Sequence, residues 1–327
     1  MRAKNLWIRM LRLPACGLFF LAFSMVLDAQ ERPVPVVLQV PSTNVHQVFF
    51  YGERRGFYQQ EGLDLRIIVM RPNLATATLM SGDSQFTGQF QTAFYAGLRG
   101  VPVKALMIVN ARPGWYLVAG PDIKNGKELK GKTIGVSGLG TSTQYAAMKA
   151  VTHFGLDAQR DVTYLGLGDD QAKLSAFKAG LVQAIQIITP WQIEARKFGG
   201  RELLFLGDVL ELPTSGLGTS DKLLKENPRL VKRMLRASLK ATRAIRQHPA
   251  DFSEFLTKFY KLDREQATLA AEMAGKTISP DGLLSAAGLK ALLESGKQSG
   301  AIVGTAKPEN GTDFTPLREV LHELDMK

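Results

Sequence analysis

At 327 residues, 45% hydrophobic and 22% charged, the chain is too long for one small module and too apolar to be disordered. Its formal net charge of +11 suits acidic ligands or an anionic surface, but Lys and Arg are spread along the chain without an aromatic–basic motif, which argues against nucleic acid. One cysteine, Cys16, excludes an intramolecular disulfide, and the dispersed His46, His153, His248 and His322 offer no zinc spacing.

The N-terminus reads as a targeting segment. Arg2, Lys4, Arg9 and Arg12 precede the apolar run from Leu13 to Val26, which is short for a membrane span. Residues 1–29 are expected to be a signal peptide cleaved after Ala29. Leu27 is large for the −3 position, so a retained anchor is the competing reading. Leu13-Pro14-Ala15-Cys16 has the look of a lipoprotein box, but its apolar run follows the cysteine instead of preceding it. Cleavage removes Cys16 and leaves a net charge of about +8.

Strands and helices then alternate, the pattern of a parallel α/β sheet. Strands are expected at Val36 to Val40, Leu65 to Met70, Gln85 to Thr87, Val103 to Asn110 and Trp115 to Ala119. Helices are expected at Asn44 to Arg55, Leu74 to Met80 and Gln91 to Leu98. The pattern restarts about 93 to 98 residues on: Val36-Val37-Leu38 corresponds to Ile134-Gly135-Val136, and Gln85 to Gln183. Another strand is expected at Ala184 to Ile188. A helical tail follows Asp221, with helices at Asn227 to Gln247, Pro249 to Tyr260, Arg264 to Ala274 and Ser285 to Ser299. No later apolar stretch reaches transmembrane length, so stable membrane insertion of the mature chain is not expected.

The most informative stretch is Thr133 to Val151. A short strand ends in Ser137-Gly138-Leu139-Gly140, then Thr141, Ser142 and Thr143 offer consecutive N-caps before a helix. Backbone N–H groups at such a junction, with these hydroxyls, suit an anionic group. A capped turn with nothing bound fits the same residues. No Lys follows the glycines as a P-loop needs, and Thr143 stands where a dinucleotide fingerprint wants glycine. Asn44 and His46, at the first strand-to-helix turn, are candidates to face a ligand. Trp191, after Thr189-Pro190, is the aromatic best placed to cover one. No catalytic carboxylate pair, metal site or cofactor site is nominated.

These words together resemble the solute-binding proteins of ABC importers, in the group related to nitrate, taurine, alkanesulfonate and thiamine-precursor binding. The matching residues are Gly56-Phe57-Tyr58-Gln59-Gln60-Glu61-Gly62-Leu63-Asp64-Leu65, Leu129-Lys130-Gly131-Lys132-Thr133-Ile134-Gly135-Val136, Gly155-Leu156-Asp157, Lys178-Ala179-Gly180 and Asn227-Pro228-Arg229-Leu230-Val231. The resemblance implies an α/β, two-lobed type II periplasmic-binding-protein fold with a C-terminal helical tail on the first lobe. Lobe one would be 31–120 plus 219–327 and lobe two 121–218, with crossings near Gly120 to Lys124 and Leu212 to Gly218. It places Asn44, His46, Gln89, Gln91, Thr92, Ser137, Thr141, Ser142, Thr143 and Trp191 around the cleft. The implied function is a monomeric periplasmic protein, not an enzyme, that hands a small anionic organic solute to an ABC permease. An enzyme of pyrimidine or menaquinone-precursor synthesis on the same fold is the alternative, although the cysteine-rich iron motif of the former is lacking. The family's aspartates are here Gln85 and Gln183, which keep hydrogen bonding but lose charge.

Overall fold

The computed structural model describes residues 32–325. The expected signal peptide, its cleavage point and Cys16 lie outside the described residues. The chain begins with β1 (Val34–Val40), α1 (Gln47–Arg54), α2 (Phe57–Gln60), β2 (Leu63–Val69), α3 (Ala75–Ser81), β3 (Phe86–Thr87), α4 (Phe90–Leu98) and β4 (Val103–Asn110). It then runs through β5 (Trp115–Ala119), β6 (Lys132–Val136), α5 (Ser142–His153), β7 (Val162–Gly166), α6 (Asp170–Lys178), β8 (Ala184–Ile188), α7 (Trp191–Arg196), β9 (Arg201–Phe205) and β10 (Ser215–Ser220). The tail is α8 (Asp221–Glu226), α9 (Pro228–Gln247), α10 (Pro249–Tyr260), α11 (Arg264–Thr277), α12 (Ala286–Gln298) and α13 (Thr315–Asp325).

Two five-stranded sheets result, ordered β2-β1-β3-β10-β4 and β7-β6-β8-β5-β9. The internal repeat is therefore real in the topology: β1, β2 and β3 correspond to β6, β7 and β8. In each sheet the three parallel strands are followed by one antiparallel strand, β10 or β5. Those two are exchanged along the chain. β5, expected in the first lobe, pairs with β8 and β9 of the second sheet, so the first passage between sheets is 111–114 and not Gly120 to Lys124. The return passage lies between β9 and β10. Arg112 joins the two passages, donating to the Gly207 carbonyl at 2.9 Å and to Glu211 at 2.6 Å.

Gln85 and Gln183 turn out to be equivalent structural fasteners. Gln85 Oε1 accepts from the Val37 N–H at 2.8 Å while its Nε2 donates to the Gly82 carbonyl at 2.9 Å. Gln183 repeats this with Thr133 N–H at 3.1 Å and the Gly180 carbonyl at 3.2 Å. An ionised aspartate can accept the first bond but cannot donate the second. Each glutamine thus ties a strand to the turn before its neighbour with both bonds.

The tail forms because its apolar residues recur at helical spacing and its starts are capped. Asn227 accepts from the Leu230 N–H with Pro228 at the first helical position, and Asp263 forms a capping box with Gln266. α9 buries Leu230, Val231, Met234, Leu235, Leu239 and Ile245 against the core of the first sheet. α10 adds an aromatic block, with the Phe252 ring 5.3 Å from Tyr51 edge-on and 5.9 Å from Phe255 in a stack. The tail does not stay with the first sheet. Glu294 of α12 accepts from Tyr145 and Lys149 of α5, each at 2.8 Å, while Tyr95 of α4 donates to the Leu292 carbonyl.

Candidate functional site

In both sheets the C-terminal ends of the parallel strands lead into helix starts: β1 to α1, β3 to α4, β6 to α5 and β8 to α7. Ligands of open α/β sheets collect at such edges. A cavity of about 60 Å³ lies there, lined from both sheets. The first sheet and its connections contribute Asn44, Gln47, Asn110 and Thr214. The second contributes Trp115, Ile188 and Thr189, and the tail closes the side with Phe252, Met273 and Thr277. No charged side chain lines it. Aromatic and aliphatic surface interrupted by amides and hydroxyls suits an organic solute with a flat or apolar body and a few polar groups.

Of the residues nominated from sequence, Asn44 lines this cavity. His46 does not present itself to a ligand. It is 2% exposed, and its ring nitrogens lie 3.0 Å from the Ser42 carbonyl and 3.1 Å from the Gly88 carbonyl. The imidazole fastens the β1–α1 turn to the β3–α4 turn. A Cβ on Gly88 would come within 2.8 Å of that ring, so this close approach needs glycine.

Burial lowers the His46 pKa to about 4, outweighing the two carbonyls, which raise it. Its folded value is depressed, so the unfolded chain takes up the proton first. The stabilisation is complete above pH 6.5 and is lost as the pH falls toward 4. Urea melts should therefore show a loss of about 2–3 kcal/mol from this group between pH 7 and pH 4. His46→Asn should flatten that slope; an unchanged slope would assign the titration to another group.

Gln89 and Thr92 belong to a buried chain of hydrogen bonds. Gln89 donates to Gln39 at 3.1 Å, Gln39 donates to Thr87, and Thr92 donates back to Gln89 at 3.2 Å. Gln91 donates to the Pro213 carbonyl at 2.7 Å, tying α4 to the return passage. These three organise the first sheet's edge and are absent from the cavity lining.

Ser137, Thr141, Ser142 and Thr143 form the β6–α5 turn as expected, at the same sheet edge but outside the lining. Their hydroxyls are partly committed. Thr143 Oγ1 accepts from the Ser137 N–H at 3.2 Å, and Thr141 donates to the Gly138 carbonyl at 2.7 Å. Trp191 opens α7 and packs, partly buried, against the apolar cluster of Val118, Val182, Ile185 and Ile187 with Ala176 and Phe177. It too is absent from the lining, and the aromatic that lines the cavity is Trp115. Gln47, Asn110, Thr214 and the α11 wall carried no motif. Strand-end position was the available signal for Asn110 and Trp115. Among the described residues there is no group of metal-binding side chains and no helix long and apolar enough to cross a membrane.

Comparison with known proteins gives a consistent frame. The family model described as "NMT1/THI5 like" matches residues 43–252, more than half of the chain. The riboflavin-binding protein RibY of Chloroflexus aurantiacus is 26% identical over 202 residues, which cover 59% of this chain and 56% of RibY. The chain thus aligns with little more than half the length of that relative. Among solved structures, the periplasmic aliphatic sulphonate binding protein SsuA from Escherichia coli superposes with a TM-score of 0.63 and 16% identity, covering 82% of this chain and 86% of SsuA. The desulfurization enzyme DSZB superposes with a TM-score of 0.66 and 14% identity, covering 89% of this chain and 99% of that one. These likenesses show the α/β periplasmic-binding-protein fold; chains this distant can share it and differ in activity.

Proposed function

The chain belongs to the NMT1/THI5-like family, and from that premise we propose that it is an exported solute-binding protein that captures a small organic solute in the cleft between its two sheets and delivers it to an ABC permease. The observation that carries this reading is the cavity lined from both sheets by amides, hydroxyls and Trp115. The lobes divide at the passages 111–114 and 206–214, and closing one on the other traps the solute in a form the permease can read. The solute's anionic end lies at the Ser137 and Thr141 to Thr143 turn, and its body lies between Asn44 and Trp115. The protein works in the periplasm as a monomer, after removal of residues 1–29.

A thermal-shift screen tests this. The panel is sulfonates, carboxylates, nitrate, pyrimidines and riboflavin. A captured solute at ~100 times its dissociation constant adds ~2.7 kcal/mol to stability. The expected result is a clear shift with one chemical group of the panel and recovery of the compound unchanged. Chemical conversion of the bound compound would favour the enzyme alternative.

A further inference from the structure

The second sheet hides a cation at its cleft edge. Lys173 sits in the first turns of α6, and its side chain is 2% exposed. The ammonium reaches Asp170 at 2.8 Å, Gln186 of β8 at 3.0 Å and the Ser137 hydroxyl oxygen at 3.2 Å. These contacts use all three of its N–H donors. β6 and β8 are neighbours in the sheet, and β8 ends at Ile188, which lines the cavity together with the next residue, Thr189. Ser137, just past β6, therefore lies one strand over from the lining on the same edge.

Two features are hard to explain by bracing alone. Burying an ammonium is costly, and a buried charge pair is often no more stabilising than apolar side chains of similar volume. The position near a helix N-terminus also opposes a cation. The bond direction, however, has a consequence for Ser137. An ammonium can only donate, so the serine oxygen accepts and its own proton remains to be given elsewhere; no other described residue is recorded as accepting it. The counter-charge is unequal in exposure. The Asp170 side chain is 24% exposed and screened by water, whereas Lys173 is not.

We propose that Lys173 is a positioning residue for solute selection: from behind the cleft it holds and polarises the Ser137 hydroxyl, so that the site prefers a solute carrying an anionic group over its uncharged counterpart. This rests on the capture reading above. The ammonium does not touch the solute. It fixes the serine rotamer and strengthens its donor through a charge-assisted contact.

The test uses matched probes, benzenesulfonate with benzenesulfonamide and benzoate with benzamide, by calorimetry on the mature chain. The wild type should bind the anion of a pair at least tenfold more tightly. Lys173→Met should bring that ratio toward one, and Lys173→Arg should restore most of it. Ser137→Ala, which leaves the lysine in place, should also reduce the ratio and covers the case in which Lys173→Met does not fold. A purely structural role would weaken both members of a pair alike. An unchanged ratio in folded Lys173→Met or in Ser137→Ala overturns the proposal, as does a wild-type ratio near one, which would leave capture in the cleft standing. Failure of every probe to bind the wild type would count against both.

Discussion

Asn44→Ala is expected to weaken capture of the best solute by about ten- to a hundredfold while leaving the melting temperature unchanged. Asn44 follows β1 on an exposed turn and lines the cavity, and its recorded hydrogen bond is a weak one accepted from Thr43 at 3.4 Å. Removing its amide costs the free chain little. In the complex it leaves a solute polar group unpaired in a partly dehydrated cleft, at about 1–3 kcal/mol. That is the stated range of affinity, since each 1.4 kcal/mol is about tenfold. Calorimetry on the variant checks it; wild-type affinity would move the solute away from the first sheet.

Phe252→Ala should have the larger effect on stability. Phe252 is fully buried, meets Tyr51 and Phe255 ring to ring, and also backs the cavity. Truncating a buried Phe removes its transfer energy and leaves a void, about 3–5 kcal/mol in all. For a unit of this size that lowers the melting temperature by on the order of 5–10 °C. Solute affinity should fall as well, because the α10 wall loses its filling. A melting temperature within a degree of wild type would mean that α10 does not anchor the first sheet.

The sequence made the framework legible where periodicity and punctuation agree. Val103 to Asn110, Trp115 to Ala119, Ala184 to Ile188 and Pro249 to Tyr260 have the observed boundaries because β-prone runs or helical spacing end at clear breakers. The short α2 and the weakly amphipathic α6 gave no comparable signal. The first passage between the sheets was misplaced because Gly120 to Lys124 looks like a linker, whereas strand exchange depends on partners distant in sequence. The Gly120 N–H in fact bonds to the Gln183 carbonyl, continuing the second sheet.

The candidate site was legible by position more than by residue. Strand-end turns contribute to the cavity, and Asn44 lines it. His46 shares that turn but faces inward, and one position along a turn decides this where no periodicity reports it. Asn110 and Thr214 become neighbours only through the antiparallel pairing of β4 and β10. Lys173 was invisible for a related reason. A lysine three residues after Asp170 is the pattern of a solvated i,i+3 pair. Only the approach of β6 and β8 buries it.

The central claim is that one solute is held by both sheets at once. A crystal structure of the mature chain with the strongest binder from the screen tests it most directly. The predicted result is a solute between Asn44 and Asn110 on one side and Trp115 and Thr189 on the other, with its anionic group toward Ser137. A solute that touches residues of one sheet alone, or that sits on the outer surface of the tail, would contradict it.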